Sequence, residues 1–149
     1  MRHFNLFLCG VVFHVWDITK AVDFTDCGTG IGNVHLLDIL PCSSEPCIIR
    51  RWGTTTFSIT FTTATNINAG AVKVGGGFNS KTMAIPLPRS GVCKHLTPPC
   101  PVLEGVSYTY SYTGIVPGAI PPGLLNIRWK LLDTTRRSFV CVAFQAKFV

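Results

Sequence analysis

Apolar and polar side chains alternate strictly along three stretches of the chain. Phe57, Ile59 and Phe61 interleave with Thr56, Ser58, Thr60 and Thr62. Tyr108, Tyr110 and Tyr112 interleave with Thr109, Ser111 and Thr113, and Leu125, Ile127, Trp129 and Leu131 with Asn126, Arg128 and Lys130. A period of two puts successive side chains on opposite faces of an extended strand, so each stretch predicts a strand with one buried and one wet face. Shorter apolar runs over 34–40, 71–74, 82–87 and 138–148 add candidate strands. Asn68-Ala69-Gly70, Gly75-Gly76-Gly77, the segment 86–91, Pro117-Gly118 and Pro121-Pro122-Gly123 stand between them and read as turns. No stretch combines helical periodicity with capping residues. About seven strands at short spacing, without a linker or repeat, predict an all-β domain built as a sandwich of two sheets.

The beginning of the chain departs from this pattern. Arg2 and His3 precede an apolar run from 4 to 16, broken by Asn5 and His14, and Ala21 offers a small residue for cleavage. That layout predicts a signal peptide over 1–21, the run being too short for a membrane span, and a single domain over 22–149. Cys9 leaves with the leader. The six remaining cysteines form an even set, which points to an oxidising compartment and a disulfide-stapled, secreted protein. Six cysteines allow many pairings. The short loops Cys42–Cys47 and Cys93–Cys100, with Cys27–Cys141 left over, are the economical choice.

Charge narrows the partners only a little. The 149-residue chain carries a net charge of +6, and losing Arg2, Lys20 and Asp17 with the leader leaves +5. Moderate positive charge suits solubility and favours anionic surfaces, but no basic run is long enough to argue for nucleic acid. A catalytic reading is hard to build. His35 and His95 are the only histidines after the leader, no G-x-S-x-G elbow occurs, and Asp23, Asp26, Asp38, Glu45, Glu104 and Asp133 mostly fall in loops or near strand ends. Both histidines read as ordinary surface residues. The C-x4-C and C-x6-C spacings do not resemble a zinc site, and the glycine run lacks the lysine of a phosphate loop. The chain therefore reads as a non-enzyme without metal or cofactor. No N-x-S/T sequon occurs. What remains is apolar surplus: 13% charged residues and a mean hydropathy of +0.37. Those side chains fill a plain sandwich core or, if the sheets splay, line an apolar pocket.

A resemblance bears on that choice. Asp26-Cys27-Gly28, Pro41-Cys42 through Glu45-Pro46-Cys47, Ile85-Pro86-Leu87-Pro88 before Cys93, Cys100-Pro101, Tyr108-Thr109-Tyr110, and Trp129 upstream of Cys141 together resemble the MD-2-related lipid-recognition (ML) family. Within it they resemble the Niemann–Pick C2-like secreted sterol carriers, and Ser44 to Ile49 is also similar to the group 2 mite allergens. The resemblance spans 23–148. It implies an immunoglobulin-like sandwich of two antiparallel sheets, the same three disulfides, one lipid held between the sheets, and no catalytic residues. The pocket wall it implies comprises Phe57, Ile59, Val74, Met83, Ile85, Leu125, Ile127, Trp129, Val142 and Phe144. The implied mouth lies near Ile85, Val116, Ile120 and Pro121, with Arg89 as the nearby cation. The chain departs from the sterol carriers in placing Ile85 and Ile120 where they have aromatic rings. Its Cys93–Cys100 loop is one residue longer than in the vertebrate carriers, and the glycan that sorts those carriers to lysosomes has no acceptor.

The expectation is a monomeric, secreted lipid-binding and transfer protein. It carries a sterol, a fatty acid or another hydrophobic molecule, and touches a membrane surface or membrane protein in passing. Its compartment is extracellular, with the endosomal or lysosomal lumen as the alternative. A second reading keeps the fold and assigns the pocket to innate-immune or chemosensory recognition of microbial lipid or semiochemicals.

Overall fold

The three alternating stretches become the inner strands of two facing sheets. The computed structural model describes residues 21–78, 80–88 and 91–149, so the expected leader, apart from Ala21, lies outside the described residues. In chain order the strands are β1 (Thr25–Asp26), β2 (Gly32–Leu40), β3 (Cys47–Ile49), β4 (Thr54–Thr63), β5 (Ala69–Phe78), β6 (Lys81–Ile85), β7 (Leu96–Thr97), β8 (Tyr108–Ile115), β9 (Gly123–Asp133) and β10 (Ser138–Phe148). Among the described residues one 3-10 turn, Cys93–His95, precedes β7. One sheet runs β2-β4-β8-β7 and the other β1-β10-β9-β5-β6, with β3 added alongside β10. The β3–β10 pairing is parallel, and the other strand pairs are antiparallel.

Inward, Phe57, Ile59 and Phe61 of β4 and Tyr108, Tyr110 and Tyr112 of β8 face Leu125, Ile127, Trp129 and Leu131 of β9, and all are buried. Outward, the interleaved hydroxyls pair across β4 and β8: Thr56 with Thr113 at 2.8 Å, Ser58 with Ser111 at 3.0 Å and Thr60 with Thr109 at 3.2 Å. The alternation thus builds a core on one face and a hydrogen-bonded ladder of side chains on the other.

Two features depart from simple alternation. In β2 the register with β4 shifts between Val34 and Leu36, and one extra residue reverses the phase. Leu36 is consequently exposed and Leu37 fully buried. His35, at the shift, is exposed and shares a 2.9 Å hydrogen bond with the Thr62 hydroxyl. The second departure corrects the turn expected at Gly75-Gly76-Gly77: β5 continues straight through it to Phe78. These glycines are flanked on both sides, Gly76 lying opposite Met83 of β6 and Ile127 of β9. Two ladders of backbone hydrogen bonds outweigh the weak strand preference of glycine. Gly76 faces inward, and a Cβ there would lie 3.4 Å from both Ile85 Cδ1 and Leu125 Cδ2, so these side chains close over it.

The disulfides Cys27–Cys141, Cys42–Cys47 and Cys93–Cys100 are all formed. Cys27–Cys141 ties the segment after β1 to the middle of β10. The Arg136-Arg137 pair sits in the β9–β10 turn, where Asp133 Oδ1 accepts hydrogen bonds from the Thr135 hydroxyl at 2.7 Å and from the amides of Thr135 and Arg137, both at 2.9 Å. The Thr135 hydroxyl, with these amides, holds the half-exposed Asp133 carboxyl below its ordinary value. The turn is therefore firmest above the usual carboxylate range and loosens as pH falls below that range, through the lowered value of Asp133.

Candidate functional site

The two ends of the sandwich are packed differently. At one end Phe61 closes against Tyr108 and Phe139, with ring centroids 6.0 Å apart in each pair. At the other end β6, β8 and β10 terminate in Ile85, Ile115 and Phe148 and β2 ends one residue past Ile39, and these four side chains surround a cavity instead of filling it. The cavity runs inward past Phe57, Val74, Ile127 and Phe144 to Tyr112 and Trp129. Its volume is about 90 Å³, well below the roughly 300 Å³ or more of a ligand pocket for a drug-sized molecule. The Trp129 ring stacks on Phe57 from the opposite sheet at 4.0 Å, which brings the two walls together at the inner limit.

Of the residues that the resemblance assigns to the pocket, Phe57, Val74, Ile85, Ile127, Trp129 and Phe144 line this cavity, as do Val116 and Ile120 at its rim. Ile59, Leu125 and Val142 point inward but are fully buried in the packed interior, away from the cavity. Met83 and Pro121 are half-buried beside it and do not line it. The lining also holds Ile39, Ile49, Thr55, Leu87, Tyr112, Gly114, Ile115, Pro117 and Phe148, none of which was expected. Tyr112 was readable from the tyrosine alternation as an inward residue. Ile49 and Phe148 come from the parallel β3–β10 edge, which leaves no periodic trace in three residues.

The rim carries two exposed apolar side chains, Ile115 at 68% and Trp52 at 77% of their full accessible surface. Trp52 stands in the β3–β4 turn with φ of 68°, its amide bonded to the Val116 carbonyl at 2.8 Å. Its indole lies so close over Gly118 that a Cβ on Gly118 would overlap the ring, which is why a glycine follows Pro117. Arg51 donates to the Ile120 carbonyl at 3.4 Å and so braces the rim. Arg89, the cation expected there, lies outside the described residues.

Behind the inner wall the chemistry turns polar. Tyr110 is fully buried, and its ring lies 6.2 Å from Trp129 and 5.9 Å from His95 by centroids. The Tyr110 hydroxyl, the Trp129 indole Nε1 and His95 Nε2 are each buried without a hydrogen-bond partner among the described residues. His95, expected as an ordinary surface side chain, instead turns inward from its 3-10 turn because the Cys93–Cys100 loop folds over the tyrosines of β8. Burial pushes the Tyr110 phenol well above its ordinary value, the nearby Trp129 N–H offsetting only part of this although the pair falls short of hydrogen-bond geometry, so the phenol stays neutral across the working pH range. A buried hydroxyl without a partner costs about 1–3 kcal/mol. Tyr110→Phe is therefore expected to raise the stability of the ligand-free protein by about 1 kcal/mol, read by denaturant unfolding. Among the described residues, no three His, Cys, Asp or Glu side chains converge as a metal site would require.

The ML domain model matches residues 21–148. The NPC intracellular cholesterol transporter 2 of Danio rerio is 26% identical over 137 residues, covering 92% of this chain and 91% of the relative. Its homolog a in Drosophila melanogaster is 30% identical over 129 residues, covering 85% of this chain and 87% of the relative. The crystal structure of a Niemann-Pick type C2 protein from Japanese carpenter ant superposes with a TM-score of 0.75 at 28% identity, covering 85% of this chain and 99% of that one. With the ML domain model matched over residues 21–148 and relatives covered over most of their length, the chain belongs to the ML-domain family.

Proposed function

We propose that residues 22–149 are a secreted lipid-binding and transfer domain, released from a leader over 1–21, that carries one sterol, fatty acid or similar hydrophobic molecule between its sheets. The observation carrying this reading is the one-ended cavity, whose walls are almost wholly apolar and whose inner limit is a Phe57–Trp129 stack across the two sheets. Relatives named as cholesterol transporters support the same class of ligand. At about 90 Å³ the cavity is closed down, so loading requires the sheets to part around that stack. Each Å² of apolar ligand surface withdrawn from water contributes about 25 cal/mol, enough to hold a long chain without any charge pair.

Transfer would proceed at the rim. Exposed Trp52 and Ile115 beside the mouth suit the boundary between lipid headgroups and acyl chains, where an indole places its apolar body inward and its N–H in the wet layer. Trp52→Ala is expected to slow lipid transfer between vesicles about fivefold or more while leaving equilibrium affinity within twofold. An unchanged transfer rate would remove Trp52 from the docking surface. Native mass spectrometry of the secreted protein, followed by extraction and identification of bound molecules, tests the whole reading. One co-purified lipid per chain supports it, and the ligand's identity separates transport from recognition of microbial lipid or semiochemicals. A protein that emerges empty and takes up neither sterol nor fatty acid overturns it.

A further inference from the structure

Three buried polar groups without a hydrogen-bond partner among the described residues lie around the inner limit of an apolar cavity, on rings whose centroids are 5.9 Å (His95 and Tyr110) and 6.2 Å (Tyr110 and Trp129) apart, and chemistry of that kind calls for an occupant. Tyr112 and Trp129 line the cavity, and Tyr110 lies two residues deeper on the same face of β8, beside Trp129. The indole N–H of Trp129 is a donor only, the phenol of Tyr110 donates or accepts, and His95 Nε2 does either according to tautomer. None of the three is satisfied among the described residues, although nearly all buried polar groups in folded proteins are. Opening of the Phe57–Trp129 stack would join this cluster to the cavity. We propose that the cluster binds a neutral oxygen function, a hydroxyl or carbonyl, at the buried end of the lipid, whose hydrocarbon then runs out toward Ile85 and Ile120.

The proposal rests on the lipid-binding reading and adds to it the polarity and direction of the ligand. A carboxylate is disfavoured at this depth, because its charge would be withdrawn from water against the uncharged phenol of Tyr110 and indole of Trp129. A hydrocarbon with no oxygen would leave the three groups as they are. A ligand oxygen accepts from Trp129 Nε1 and exchanges a hydrogen bond with Tyr110, while His95 Nε2 completes the set behind it.

The test compares dodecan-1-ol with dodecane as competitors for a fluorescent apolar probe, in the wild type and in Tyr110→Phe. The wild type is expected to prefer the alcohol about tenfold, and Tyr110→Phe to lose most of that preference while holding dodecane within twofold. An alcohol-to-alkane ratio that is the same in both proteins overturns the proposal. The ligand oxygen would then stay at the mouth, with a buried water serving the three groups. A wild type that takes up neither the probe nor either compound overturns the lipid-binding reading as well. His95→Leu gives a second handle from an exposed turn: its alcohol preference should fall about threefold, and an unchanged ratio would again count against the buried anchor.

Discussion

Replacing Ile120 with aspartate should lower lipid affinity by about 100-fold or more while leaving the fold in place. Ile120 is buried at the cavity rim, in the segment between β8 and β9, and belongs to no strand ladder. A carboxylate there must either stay hydrated, holding water in the mouth, or lose its hydration as the ligand enters. Either route costs several kcal/mol, of which about 1.4 kcal/mol corresponds to each tenfold in affinity. Displacement of a bound fluorescent fatty acid reads the effect, and an unchanged β-type circular dichroism spectrum shows that folding survives. Val116→Asp, across the same rim, is expected to behave alike. Full affinity in both variants would mean that ligand enters somewhere else.

The largest expected effect on stability comes from opening the Cys27–Cys141 bridge. It joins residues separated by 114 positions, whereas Cys42–Cys47 and Cys93–Cys100 span only 5 and 7. Constraining a long loop removes more disorder from the unfolded chain than constraining a short one. The loop-entropy relation gives about 5 kcal/mol for the long bridge and about 2 kcal/mol for the Cys42–Cys47 loop. Denaturant unfolding of Cys27→Ser/Cys141→Ser and of Cys42→Ser/Cys47→Ser should show that order. The long bridge also anchors the region of β1, which has only two residues paired with β10 and little else to hold it. Equal losses in the two double variants would contradict a loop-length origin for the stabilisation.

Much of the architecture was legible because period-two alternation and burial are the same physical fact seen from two sides. Phe57, Tyr110 and Trp129 announced their inward direction in the sequence, and the cysteine spacing announced the staples. Depth was not legible. Ile59 and Phe57 share one phase of one strand, yet Ile59 is packed solid and Phe57 borders the cavity, because how far the sheets splay at each level depends on both sheets at once. Gly75 to Gly77 misled for a related reason. A glycine run carries local turn chemistry, and the neighbouring strands that keep it extended are distant in sequence. The inward turn of His95 was equally hidden, since it depends on a disulfide loop folding over β8. Trp52 carried no periodic signal at all, and its place at the mouth follows from its bond to Val116 and the bare backbone of Gly118.

The central claim is that ligand enters between the sheets and reaches Trp129. Beyond the proposed leader the chain has two tryptophans, Trp52 and Trp129, so Trp52→Phe leaves a single reporter at the inner wall of the cavity. Titrating that variant with a brominated fatty acid, whose bromines quench an indole on contact, measures entry directly. Saturable quenching complete at one ligand per protein is the predicted result. A Trp129 emission that stays unquenched while the protein remains folded would contradict the claim and return these side chains to plain core.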